Sequence, residues 1–321
     1  MIEKAKCAML CMTRQCWEQG VAAQAMLESG DVDAMVLMAR DCVVRQNADG
    51  RLCDVENTPA SVDPAFCVEA VLTAGRLSGD QGMIDAALRN VQYLLHAAPT
   101  TPDGARYHLL GEAEVWADGL AAGPHTLMLA GHIEEGLAYY EAVKRRLRDP
   151  KTGLYHHKWH ETERRFARPC YWGVGNGWAL VGLMRMARIL LDAGDARAEG
   201  IISDFRALAD AMLPFQADNG LFHDVLDDAE TFYESEVTEM FAYTVYRMVS
   251  WKLLEDRYLS GADRARQAVI RRLGDDGVLH GCSGSPTFEC EGTSVEGQAH
   301  FIMMEIAARS LGRQAKQRRR A

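Results

Sequence analysis

Two aspartates have the surroundings for proton chemistry. Asp118 lies in Glu114-Val115-Trp116-Ala117-Asp118-Gly119-Leu120 and is followed by fifteen uncharged residues. A carboxylate at the head of such a run faces an apolar interior, where burial raises its pKa. A general acid working near neutral pH needs that shift, so the sequence predicts a raised pKa for Asp118. Asp63, in Ser61-Val62-Asp63-Pro64, has two readings. It is a second catalytic carboxylate, or an N-cap with proline at the first helical position.

Binding chemistry is concentrated in two further stretches. Tyr155-His156-His157-Lys158-Trp159-His160-Glu161 suggests a metal at first sight, but adjacent histidines on a loop point apart. Hydrogen bonding to a sugar suits them better. From Lys151 to Arg168 there are five basic and two acidic residues, a local charge of +3 in an acidic chain. Such a patch draws in an anionic ligand or is a solvated loop. In Tyr171-Trp172-Gly173-Val174-Gly175-Asn176-Gly177-Trp178, three glycines permit close backbone approach to a ligand or tight helix packing. The two tryptophans offer flat faces to sugar rings. No lysine follows and no strand precedes, which argues against a phosphate loop.

The elements that must position these residues read as helices. Met26 to Val44, Met83 to Leu95 and Gly177 to Leu191 carry apolar residues at intervals of three and four. Two kinds of interruption alternate. Tight turns fall at Ser29-Gly30-Asp31, Ser78-Gly79-Asp80, Ala193-Gly194-Asp195 and Ser260-Gly261-Ala262-Asp263. Each offers a glycine to end one helix and an aspartate to cap the next. Longer loops centre on Gly50, Gly104, Gly153, Gly220 and Gly277, which are 54, 49, 67 and 57 residues apart. A recurrence of about 57 residues means an array of helix pairs, five to six in this length. About six pairs can close into a ring. Eleven helices are counted, one short of twelve. Asp63, Asp118, Asn176, Glu234, Glu236 and Glu296 all fall where a long loop enters a helix, so a closed ring gathers them at one end.

Composition bounds the function. The 321-residue chain has a net charge of −10, and five basic residues crowd its last nine positions. Removing them leaves −15, a body that repels a nucleic-acid backbone. No apolar run reaches the roughly 18 residues of a membrane span. Nine cysteines at irregular spacing and no export signal point to a reducing cytoplasm. Residues 1–312 are expected to form one domain, with 313–321 a frayed basic tail.

Trp172-Gly173-Val174-Gly175-Asn176-Gly177-Trp178 resembles the Trp-Gly-Arg-Gly-Asn-Gly-Trp signature of the unsaturated glucuronyl and rhamnogalacturonyl hydrolases, glycoside hydrolase families 88 and 105. The similarity also takes in Trp17-Glu18-Gln19-Gly20-Val21, Val62-Asp63-Pro64, Val115 to Gly119, Thr152 to Trp159, Gly220 to Asp227 and Glu296-Gly297-Gln298. It therefore runs through most of the chain in order. The resemblance implies an (α/α)6 barrel, with Asp118 as general acid/base and Asp63 assisting. It matches His157 to a sugar-contacting histidine, and Trp17, Trp172 and Trp178 to stacking residues. Asn176, Glu234 and Glu236 are the remaining candidates for substrate binding.

The implied substrate is a small oligosaccharide ending in a 4,5-unsaturated uronate. Protonation at C4 and addition of water at C5 need neither metal nor cofactor, and none is expected. Two departures mark this chain: Val174 replaces the signature arginine, and Glu236 stands where a Ser-Gly pair is common. A glycosidase for a saturated uronide, with Asp118 and Glu236 as its carboxylates, is the enzymatic alternative. A sugar-binding barrel without catalysis is the other.

Overall fold

The computed structural model describes residues 1–53, 59–285 and 287–318. Its helices are α1 (Ile2–Met12), α2 (Cys16–Ser29), α3 (Val32–Val44), α4 (Val68–Ser78), α5 (Gln81–His96), α6 (Gly119–Ala122), α7 (Pro124–Leu129), α8 (Ile133–Leu147), α9 (Gly173–Asp192), α10 (Ala198–Met212), α11 (Ser235–Ser250), α12 (Leu259–Ile270) and α13 (Val295–Arg318). Helices α2, α4, α7, α9, α11 and α13 each touch the next, and α13 returns to α2. That closes an inner ring. Each is backed by the outer helix that follows it (α3, α5, α8, α10 and α12), and α13 is backed by α1. The architecture is an (α/α)6 barrel whose first helix completes its last pair.

Burial explains which helix goes where. Fourteen of the sixteen residues of α11 are buried, against six of fifteen in α8. A helix apolar on all sides belongs inside, and a one-sided helix belongs on the rim. The position missing from the sequence count is the pair α6 and α7. Pro124 cannot continue the hydrogen-bonding of α6, and it opens α7 as an N1 proline. Two short segments thereby fill one inner position.

At one end, Gly30, Gly79 and Gly194 take positive φ in the tight turns. Of the aspartates expected to cap there, Asp80 accepts from Met83 N at 3.3 Å, whereas Asp31 makes no such bond. Ser260-Gly261-Ala262-Asp263 is no turn; it lies within α12. A Cβ on Gly261 would meet Leu213 at 2.9 Å, so this glycine serves packing. At the opposite end Gly50, Gly104, Gly153, Gly220 and Gly277 share a positive φ between 80° and 101°. A Cβ on Gly220 would also lie 2.6 Å from the Arg264 carbonyl oxygen of α12. The repeat is a left-handed turn, seated on a neighbouring outer helix at Gly50, Gly153, Gly220 and Gly277 but not at Gly104.

The long loops also carry short antiparallel strands that the sequence pattern did not announce. They are β1 (Glu114–Trp116), β2 (Lys158–His160), β3 (Arg165–Arg168), β4 (Phe222–His223), β5 (Tyr233–Glu234), β6 (Cys282–Ser283) and β7 (Glu291–Gly292). In the three-stranded sheet Trp116 pairs with Lys158, and Lys158 with Arg168. One row across the sheet is therefore aromatic, cationic, cationic. Helix α13 continues past residue 312 to Arg318, so the basic segment extends the last helix that far; residues 319–321 lie outside those described.

Candidate active site

A cavity of about 520 Å³ opens at the long-loop end. Asp63, Asp118, Trp17, His157, Trp172, Trp178 and Glu236 all line it, although they come from positions spread between 17 and 236. Asp118 reaches it because β1 ends at Trp116 and the chain then turns into α6. Ala117 N donates to the His157 carbonyl at 2.9 Å, tying that turn to the approach to β2. Asp63 opens a short 3-10 turn, Asp63–Cys67, with Pro64 behind it, but its side chain caps nothing. It faces His108, with Nε2 3.3 Å from Oδ1.

His157 sits against Asp118, its Nε2 3.7 Å from Oδ2. The Nη1 of Arg168 lies 3.0 Å from His157 Nδ1. A guanidinium only donates, so Nδ1 accepts and the imidazole proton is on Nε2, aimed at Asp118. Burial lowers the pKa of His157 to about 4 despite Asp118, so the ring is neutral at pH 7. Its plane stacks on Trp172 at 4.3 Å.

The expectation of a raised pKa for Asp118 is overturned. Burial does push this carboxyl up, but the imidazoles of His157, 3.7 Å away and short of a hydrogen bond, and of His108 outweigh it and lower it to about 2. The sequence showed the apolar run after Asp118 and not the imidazoles brought to it from other loops. In His108 burial opposes charge, yet Asp63 and Asp118 prevail and raise its pKa. The free site thus holds Asp118 ionised.

The carboxyls whose pKa is raised lie elsewhere on the wall. Burial, reinforced by Glu296 and Glu234, raises Glu236 well above the usual range, although Ser294 Oγ donates to it at 3.1 Å. Glu296, also on the wall, is raised to about 8 by burial and by the nearby Glu18. Glu236 Oε1 and Glu296 Oε2 have no hydrogen-bond partner among the described residues.

Two expected binders do not reach the cavity. Asn176 is fully buried; its amide donates to the carbonyls of Tyr155 and Trp172, and its Oδ1 accepts from Tyr155 N. It fastens the segment leading to His157. Glu234 accepts from Val237 N at 2.6 Å and Ser283 N at 2.7 Å, capping α11 and holding β6. Gly173, Gly175 and Gly177 likewise meet protein: a Cβ would contact the His223 carbonyl, the Ala117 side chain and Met240 respectively. Their signature serves packing, which brings α9 close to α11 and to the segment before Asp118.

Of the basic cluster, Arg168 reaches the cavity, whereas Arg165 is exposed and pairs with Glu163. Sequence reasoning gave no role to His108 or Trp116, and placed Glu296 at this end of the barrel without assigning it one. His108 follows the long-loop glycine Gly104 in the sequence, but its partner Asp63 lies far off in the chain. Trp116 stacks on His108 at 4.0 Å, and the Lys158 ammonium lies 3.3 Å from its ring centroid. Lys158 has no carboxylate ion-pair partner among the described residues.

A cavity of this size in an (α/α)6 barrel, lined by two aspartates and several tryptophans, suits a carbohydrate-active enzyme. The sequence profile of Glycosyl Hydrolase Family 88 matches residues 3–307, and the chain belongs to that family and is a glycoside hydrolase. It is 25% identical over 277 residues to the unsaturated rhamnogalacturonyl hydrolase YesR of Bacillus subtilis, covering 81% of this chain and 77% of that protein. Among solved structures it resembles a possible member of the GH105 family from Salmonella enterica serovar Paratyphi A. The TM-score is 0.83 at 18% identity, over 96% of this chain and 92% of that one. The unsaturated glucuronyl hydrolase of Bacillus sp. GL1 gives a TM-score of 0.67 at 13% identity, over 92% and 84%.

Proposed function

We propose that this glycoside hydrolase releases a terminal 4,5-unsaturated uronate from a small oligosaccharide left by a polysaccharide lyase. The observation that carries the reading is Lys158: a half-buried ammonium on the cavity wall, over Trp116, without a carboxylate partner among the described residues. Burial already lowers its pKa. An anion beside it relieves that cost, and a uronate carboxylate is such an anion. With Val174 in place of the signature arginine, Lys158 and Arg168 are the cations left to meet it.

Asp118 carries the proton in this reading. Its carboxyl is ionised in the free site, and a bound uronate places a second negative charge nearby, which raises its pKa and loads it with a proton. The acid protonates C4, leaving positive charge shared by C5 and the ring oxygen. Water bonds to C5 and returns a proton to the Asp118 carboxylate. The C5 hemiketal then opens by breaking its bond to the ring oxygen, and the hemiacetal at C1 expels the remaining sugar. His157 Nε2–H steadies Asp118 whenever it is ionised, while Asp63 and His108 form the adjoining ion pair. The aromatic faces of Trp17, Trp172 and Trp178 bind the sugar rings.

Support for a cytoplasmic setting comes from nine cysteines that form no disulfide; no described helix is long and apolar enough to cross a membrane. One observation favours a second reading. Glu236 is a carboxyl whose pKa burial raises, on the same wall as Asp118, whose pKa is lowered, the acid and base ordering that a saturated uronide requires. Incubating the enzyme with unsaturated and saturated uronyl disaccharides in parallel separates the two. Loss of the conjugated-alkene absorbance, with the saturated sugar left intact, is expected. Cleavage of the saturated sugar alone would establish the second reading.

A further inference from the structure

Outside the cavity, three cysteines from separate segments meet. Cys42 is on α3, Cys53 follows the Gly50 turn, and Cys67 ends the 3-10 turn that begins at Asp63. All three side chains are fully buried. Their sulfurs lie within 4.8 Å of one another, the only such group of His, Cys, Asp or Glu ligand atoms among the described residues. Cysteines buried as small apolar residues have no need to converge. Sequence spacing gave no sign of the group, because its members stand 11 and 14 residues apart.

We infer that Cys42, Cys53 and Cys67 form a thiolate site for one soft metal ion of filled d shell. Sulfur-only donors select Cu(I) or Zn(II) over hard cations. Metal–sulfur bonds of about 2.3 Å set three ligand sulfurs roughly 4 Å apart, so small side-chain movements close the site. Three sulfurs suffice for trigonal Cu(I), whereas Zn(II) needs a fourth ligand, and Cu(I) is the ion favoured. Each thiol that ligates gives its proton to solvent. The position gives the ion its role. Cys53 and Cys67 flank the stretch that brings Pro59, Ala60, Asp63 and Phe66 to the cavity wall, so one ion holds that stretch against α3.

The test uses the full chain with Cys7, Cys11 and Cys290, the exposed cysteines, replaced by serine so that they do not bind metal. The protein is refolded with Cu(I) or with Zn(II) and examined by native mass spectrometry and X-ray absorption. One Cu(I) per chain in a shell of three sulfurs, with a raised Tm and slower hydrogen exchange over residues 59–67, is expected. Cys53→Ser and Cys67→Ala should each abolish the bound ion and the Tm increment. One Zn(II) per chain, lost in the same variants, would keep the site and overturn the choice of ion. No bound ion in the parent, an oxygen- and nitrogen-dominated shell, or binding that survives both variants would overturn the site itself. None of these readouts depends on the reaction proposed above.

Discussion

In the proposed reaction the chemistry turns on Asp118, and its setting gives two predictions. Asp118→Asn should keep the fold and lose about 10² to 10⁴ in kcat, the range for a positioned acid or base; a turnover assay beside a circular-dichroism melt checks both halves. Neutralising Lys158 by Lys158→Met should raise KM for a uronide about tenfold, the worth of one charge-assisted hydrogen bond. It should leave KM for an uncharged analogue nearly unchanged. Glu296 makes a prediction in stability. Its folded pKa of about 8 lies above the value of about 4.3 for an unfolded chain. The proton it retains favours the folded state fully below pH 4, and that contribution is lost as pH rises toward 8. Glu296→Gln cannot ionise, so its Tm should exceed wild type at pH 8 and match it near pH 4. An equal offset at both pH values would remove ionisation as the cause.

At the scale of elements, the site depends on how closely α9 approaches α6. A Cβ on Gly182 of α9 would press into the Leu120 carbonyl, which is backbone and cannot swing aside. Gly182→Ala should therefore cost about 1–3 kcal/mol and lower kcat, because α6 begins next to Asp118. Denaturant unfolding with parallel kinetics reads both. The helix pairs were legible because their period and their glycine turns are local. Gly261 misled because a glycine in a helix for packing looks like one in a turn. The strands that line up Trp116, Lys158 and Arg168 escaped because three residues are too few to show alternation. Asn176 and Glu234 were correctly placed at loop–helix junctions. Which way a buried polar side chain faces there depends on partners from distant loops.

For the whole molecule, the barrel interior holds a charge network beneath the cavity. Arg185 of α9 bonds Glu69 of α4 at 2.6 Å and Glu28 of α2 at 3.1 Å, and Arg247 of α11 bonds Glu28 at 2.6 Å. Four inner helices are thereby cross-linked. Burial opposes ionisation of Glu69, but Arg185 and His125 hold it at about 2, below its unfolded value. Its stabilising contribution is present above about pH 4.5 and is lost as pH falls toward 2. Arg185→Ala takes the guanidinium from Glu69, while Glu28 keeps Arg247 and Tyr243, and should cost about 3–5 kcal/mol at pH 7, with a smaller loss near pH 3. No sequence pattern indicated this network, since its members are more than 40 residues apart and meet only when the ring closes.

In the proposed reaction the bond breaks through hydration of a double bond and not by displacement at C1. Turnover of an unsaturated uronyl disaccharide in D₂O, with the released uronic acid examined by NMR at early times, tests it most directly. Hydration leaves one deuterium at C4, delivered to a single face, with the alkene gone, and Asp118→Asn should give no such product. A released sugar that keeps its double bond and carries no deuterium at C4 would contradict it.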